Sequence, residues 1–207
     1  MVRRETKISS QKARMLAHAR KLFWKKGFNA ASMGDIARSY GCRTSNIYNF
    51  FRNKEEILHQ VLYEELHQIL EPIRHLDTDE SLSPDEQLRL IIKSHVELAL
   101  SHQRTSKLLF DVGLDHLLPV NRKEIMELRD TYDRIVRKVI RRGIDRGLFR
   151  EIDEKLAGFM IASMVTRTRV WYHPRKGMSV PDLVDFIYDF AVRGLDAVPQ
   201  AGKDAVR

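Results

Sequence analysis

Apolar positions in this chain recur at intervals of three and four almost from end to end, interrupted by short polar stretches that carry helix start and stop signals. The pattern predicts helices throughout and no strong strand run. Ser32 and Asp35 have the spacing of a capping box. Ile36, Ala37 and Tyr40 follow on one face, and Gly41 supplies the backbone freedom a sharp corner needs. A second helix starts at Arg43 or Thr44 and carries Ile47, Tyr48, Phe50 and Phe51. A third opens at Asn53 with Glu56 in the capping-box place. Helix, tight turn, helix is a geometry that enters the major groove of DNA. In that geometry the second helix turns Arg43, Thr44, Ser45, Asn46 and Asn49 toward the bases, and Ser32 and Met33 at the start of the first touch the phosphate backbone.

Downstream, the helix from Asn53 runs through Ile57, Val61, Leu62, Leu66, Ile69 and Leu70, with Pro72 marking its end or a kink. After the polar loop HLDTDESLS, Ser83, Pro84 and Glu86 open another, carrying Leu88, Ile91, Ile92, His95 and Val96 to about Ser101. A further helix is expected over roughly 105–118. Asn121 and Glu124 cap a long one that ends near Gly143 or Gly147. Asp153 starts the next, and Ser179, Pro181 and Asp182 start the last, with a polar tail from Ala197 that frays. No repeat at a fixed period is present.

Those last two helices are apolar on more than one face. Leu156, Phe159, Met160, Ile161, Val165 and Trp171 in the first, and Leu183, Phe186, Ile187 and Phe190 in the second, surround much of the axis. Such helices must be covered on two sides. A two-fold bundle with a second copy of the chain covers both, with Phe159, Leu183, Phe186, Ile187 and Phe190 as the expected interface.

Charge separates the chain into two parts. Residues 1–54 hold thirteen Lys or Arg against Glu5 and Asp35, a net of +11; with the whole chain at +8, residues 55–207 carry −3. A basic head on a mildly acidic body is the footprint of a polyanion-binding domain joined to something else. No apolar run approaches the roughly 20 residues that cross a bilayer, and the basic N-terminus lacks the apolar core of a signal peptide, which points to a cytoplasmic protein. The single cysteine, Cys42, excludes an intramolecular disulfide framework and is expected to pack in the turn.

The run KARMLAHARKLFWKKGFNAASMGDIARSYGCRTSNIYNFFRNKEEIL, about residues 10–60, resembles the DNA-binding domain of the TetR family of bacterial transcription regulators. Its landmarks are Phe23, Gly27, Phe28, Ile36, Ala37, Gly41, Tyr48, Phe51 and Lys54. Ala31, Cys42 and Phe50 depart from the commonest pattern, and Phe50 removes a polar group near the phosphates. The resemblance implies an all-α protein: a three-helix helix-turn-helix domain over 1–55, joined to a helical effector-binding and dimerisation domain over 56–207. It implies that Tyr48 and Lys54 bind phosphate, that two copies pair through the last two long helices, and that the body holds a small-molecule effector. Arg104, Phe110, Met126, Tyr132, Met160, Met164, Arg167, Arg169, Trp171 and Tyr172 are the candidate lining. The ending VWYHPRKGMSVPDLVDFIYDFAVRGL is similar to members that sense acyl-coenzyme A thioesters. The implied partners are therefore double-stranded operator DNA, a second copy of the chain and a small molecule such as an acyl-CoA.

Enzyme motifs are missing: there is no G-x-S-x-G, phosphate loop, H-E-x-x-H or Cys/His zinc spacing, and no cofactor or metal is expected. His59, His67 and His75 lie eight residues apart, too far along one helix to share a metal. Two other classes compete with a regulator: a helical carrier module with a non-specific basic head, and a helical enzyme. The carrier would bind a ligand without operator preference.

Overall fold

The computed structural model describes residues 2–101, 114–173 and 177–195. Eight α-helices are present among them and no strand: α1 (Val2–Lys26), α2 (Met33–Tyr40), α3 (Thr44–Tyr48), α4 (Lys54–Leu70), α5 (Pro84–Ser101), α6 (Pro119–Asp145), α7 (Glu154–Trp171) and α8 (Val180–Leu195). Short 3-10 turns cover Arg74–Asp77 and Leu114–His116. The chain divides into two compact units. Residues 2–68 and 114–129 belong to the first, and 69–101, 130–173 and 177–195 to the second.

Local signals set most of the helix starts. Ser32 Oγ accepts from the Asp35 amide at 3.1 Å while the Asp35 carboxylate accepts from the Ser32 amide at 3.2 Å, the reciprocal box expected at α2. The same arrangement holds for Ser179 and Asp182 at α8, and the Glu86 carboxylate accepts from the Ser83 amide at α5. Asp153 caps α7 by accepting from the amides of Lys155 and Leu156.

The start of α6 corrects the sequence reading. The helix begins at Pro119, ahead of Asn121, and its cap comes from far along the chain. The Glu55 carboxylate of α4 accepts from the Leu118 amide at 2.9 Å and from the Asn121 side chain at 2.8 Å. The helix expected over 105–118 falls mostly outside the described residues; its end at 114–116 is a 3-10 turn.

In the first unit, α2 packs against α1 and α3. Met15, Leu16, Ala19, Phe23, Ile36, Ala37, Ile47, Phe51, Ile57 and Leu58 are buried. A large apolar side chain so buried stabilises by about 1.5–3 kcal/mol, so Phe23 and Phe51 are leading contributors to this small core. In the second, α5 packs against α7 and α8. Behind them α6 buries Ile135, Val136, Val139 and Ile140. α6 runs close past the next turn at Gly143, where a Cβ would stand 2.1 Å from the Phe149 ring, so no larger residue fits there.

The Arg142 guanidinium, largely buried, donates to the carbonyls of Leu76 at 2.9 Å and Asp77 at 3.1 Å and to Gln87 Oε1 at 2.9 Å. That fork holds the 3-10 turn after α4 onto α6. No helix of the described residues is long and apolar enough to cross a membrane.

Candidate functional site

The corner between α2 and α3 is built by Gly41. Its φ of 84° lies in the left-handed region, and its amide donates to the carbonyls of Ala37 and Arg38 while the Cys42 amide also reaches Ala37 at 2.9 Å. This is a Schellman ending. Cys42 is half-buried in the turn, and burial pushes its thiol up, away from a reactive thiolate. Hydrogen bonds from Ser32, with the nearby charge of Lys26, hold the Asp35 carboxyl below its ordinary range. Lys26 and Arg38 lie 3.4 and 3.0 Å from it.

The helix α3 is a single turn and a half, and of its residues only Ile47 is buried. Phe51 follows beyond the helix end as a second anchor, while Phe50 is half-buried. Arg43, Thr44, Ser45, Asn46, Tyr48 and Asn49 are all exposed. Tyr48, a large aromatic, is 54% exposed. An apolar pin under a ring of hydrogen-bonding side chains presents polar groups outward without loosening the turn. Ser32 is exposed at the start of α2, whereas the Met33 side chain is buried, which leaves only its backbone amide to meet a phosphate.

Lys54 departs from the expectation. Its ammonium donates to the carbonyls of Phe28 at 2.8 Å, Ala31 at 2.9 Å and Asn29 at 3.3 Å, and lies over the Phe28 ring. Three donors meet three acceptors, so this lysine anchors the loop between α1 and α2 instead of standing ready for phosphate. Nothing in the local sequence pattern pairs residue 54 with residues 28–31.

The effector candidates scatter. Arg104 and Phe110 lie outside the described residues. Met126 is exposed on α6, within the first unit. Met160 and Trp171 are exposed on α7. Met164, Arg167 and Trp171 line an open cleft of about 420 Å³ with Phe186, Ile187 and Phe190. These four α7 side chains therefore belong to an outer face and not to the interior of the second unit. Tyr172 is buried, its hydroxyl donating to the Met178 carbonyl at 3.0 Å.

The interior of the second unit holds Tyr132 and the inner part of Arg169, beside a residue the sequence reading left in the core pattern, His95. Tyr132 Oη and His95 Nδ1 are 2.9 Å apart, the rings edge to face at 5.5 Å. Burial, with the charge of Arg169, lowers the imidazole to about 4 and keeps it neutral; burial, then Asp133, pushes the Tyr132 phenol up.

The expected interface residues also divide. Contrary to expectation, Leu183 and Ile187 are buried on the inner face of α8 with Val184 and Ala191 and serve the chain's own core. Phe159, Phe186 and Phe190 are exposed, beside Leu156, Met160, Val170 and Trp171. Their exposure, 45% for Phe159 and about 60% for the other two, leaves a broad apolar band open on the surface of the second unit.

Residues 81–195 match the family model described as the tetracyclin repressor-like C-terminal domain, and residues 15–61 match that of the bacterial regulatory proteins of the tetR family. The chain is 26% identical over 171 residues to the fatty acid metabolism regulator protein of Bacillus subtilis, covering 82% of this chain and 87% of that one. The structure of the TetR family transcriptional regulator PfmR from Thermus thermophilus superposes with a TM-score of 0.76 at 30% identity, covering 88% of this chain and 99% of PfmR. AibR, solved with isovaleryl coenzyme A and operator DNA, shares the fold at a TM-score of 0.75 and 20% identity, over 90% and 98% of the two chains. The chain belongs to the TetR family, and is a helix-turn-helix DNA-binding transcription regulator.

Proposed function

We propose that the protein is a homodimeric repressor that leaves its operator when a small molecule binds, with an acyl-CoA thioester as the effector class. The observation that carries the DNA reading is α3: it buries Ile47 alone and exposes Arg43, Thr44, Ser45, Asn46, Tyr48 and Asn49 on the basic head. Arg43 and Asn46 are the candidates for base edges, Ser45, Thr44 and Asn49 flank them, and Tyr48 with the α2 start at Ser32 and Met33 meets phosphate. Residues 1–55 form the reading head and 56–207 the effector and dimerisation body.

The open apolar band of α7 and α8 supports pairing with a second copy through Phe159, Phe186 and Phe190. Two heads held at one separation match successive major grooves about 34–36 Å apart. A ligand that favours another separation lowers DNA affinity by the factor by which DNA lowers its own, and a coupling of about 1–3 kcal/mol gives about a 5- to 150-fold release. The chain of α4 runs from one unit into the other and is the candidate lever. The likeness to a Bacillus regulator of fatty acid metabolism and to AibR, solved with isovaleryl coenzyme A, supports an acyl-thioester effector. Fluorescence anisotropy of a duplex from the protein's own promoter tests this: octanoyl-CoA should release the bound protein, and no release at saturating ligand would remove the thioester reading.

A further inference from the structure

Neutral His95 has one N–H and one lone pair to place. Its Nδ1 faces Tyr132 Oη, and the Tyr132 hydroxyl has no other acceptor among the described residues. The arrangement that satisfies both groups has the phenol donating to Nδ1. Nε2 then carries the proton, and it is fully buried with no partner among the described residues. Thr166 Oγ1, on α7, is likewise buried and unpartnered there. Thr166 lies three residues before Arg169 on one face of α7, the helix that packs against α5, and the Arg169 charge reaches His95. Ile91, Ile92 and Val96 on α5, Ile135 and Val136 on α6 and Val165 on α7 are all buried in the same unit. Unsatisfied buried donors are costly and rare, and these two, on helices that pack together, ask for the same thing, an electron-rich oxygen.

We propose that His95 Nε2–H and Thr166 Oγ1–H, in the field of Arg169, are the acceptor-binding end of the effector site, and that the effector carries a carbonyl or carboxylate oxygen on an otherwise apolar body. This rests on the effector reading above and adds the chemistry that seats the ligand.

Two measurements on the full chain test it. In the unliganded protein Thr166→Val removes an unpaired buried hydroxyl at nearly constant shape, and the melting temperature should rise by a few degrees. A fall would show the hydroxyl already satisfied and would overturn the proposal.

In binding, octanoyl-CoA is set against S-octyl-CoA, which lacks the carbonyl oxygen, and octanoate against octylamine. The wild type should prefer the oxygen-bearing member of at least one pair by about tenfold, the size of one well-made hydrogen bond. His95→Gln, which keeps an N–H donor, should retain the preference, and Thr166→Val should lose most of it. Preference in the first pair alone identifies a thioester carbonyl, and in the second a free carboxylate. Equal affinity within both pairs, or an undiminished preference in Thr166→Val, overturns the assignment. If none of the four binds, the acyl reading of the effector falls, and the melting temperature alone decides the donor assignment.

Discussion

The Lys54 ammonium sits 4.3 Å above the centre of the Phe28 ring and donates to the Phe28 carbonyl at 2.8 Å. A cation held this way, with Ala31 and Asn29 as its other acceptors, ties the start of α4 to the loop that precedes α2. That loop leads into α2, the helix against which α3 packs.

Lys54→Met should therefore cost about 2 kcal/mol of stability, the usual scale for losing hydrogen bonds to a charged group. Operator affinity should fall with it, while the slope of log K against log salt stays unchanged. A phosphate contact would behave differently, lowering the slope by about one and sparing stability. Thermal melting and a salt titration of operator binding separate the two.

Arg43→Ala and Asn46→Ala should each relax preference at particular operator positions, by about 1–3 kcal/mol where the lost contact was bidentate. Tyr48→Phe should weaken all sequences alike. A panel of single-base operator variants, titrated against each protein, reads the difference. Identical profiles for Arg43→Ala and Tyr48→Phe would show that the roles are wrongly sorted.

His95 predicts a pH dependence of stability. Its native value of about 4 lies below the ordinary 6.5, so between these the unfolded chain holds a proton that the native state refuses. Stability is full above 6.5, declines as pH falls through the window, and is lower by on the order of 3 kcal/mol near pH 4. Arg169 and Tyr132, the groups facing it, do not change charge there. Denaturant melts of wild type and His95→Gln at pH 7 and pH 4.5 should show a smaller acid loss in the variant.

The α8 faces make opposite predictions. Phe186→Arg and Phe190→Arg place a charge on a side chain already exposed in one protomer, so the fold should survive while dimerisation weakens by about a hundredfold or more, roughly 3 kcal/mol. Leu183→Arg puts the charge into the chain's own core and should unfold it. Sedimentation at micromolar concentration, with circular dichroism as the control, distinguishes them. A wild-type monomer would sink the dimer reading.

What the sequence made legible was what is local. The boxes at Ser32–Asp35 and Ser179–Asp182 and the glycine corner at Gly41 are written within a few residues, and the structure forms each of them. The cap on α6 was misplaced because it is supplied by Glu55, more than sixty residues away. Periodicity showed that α8 is apolar on two faces but could not say which meets its own core; Leu183 and Ile187 turned inward and Phe186 and Phe190 outward. The effector residues were harder still. An aromatic or Met at helical spacing looks the same whether it lines an interior or an outer band, and Met160 and Trp171 proved to be on the outside. His95 hid for the opposite reason: it occupies a core position among Ile91, Ile92 and Val96, and only the placement of Tyr132 reveals its free nitrogen.

The central claim is sequence-specific binding of operator DNA by a pair of reading heads. Its most direct test is sedimentation of the protein with a labelled duplex from its own promoter, in parallel with a scrambled duplex of the same composition at physiological salt. The account predicts an even number of protomers on the promoter duplex and an affinity at least about a thousandfold above that for the scramble. Equal affinity for the two duplexes, or a single protomer bound, would contradict it.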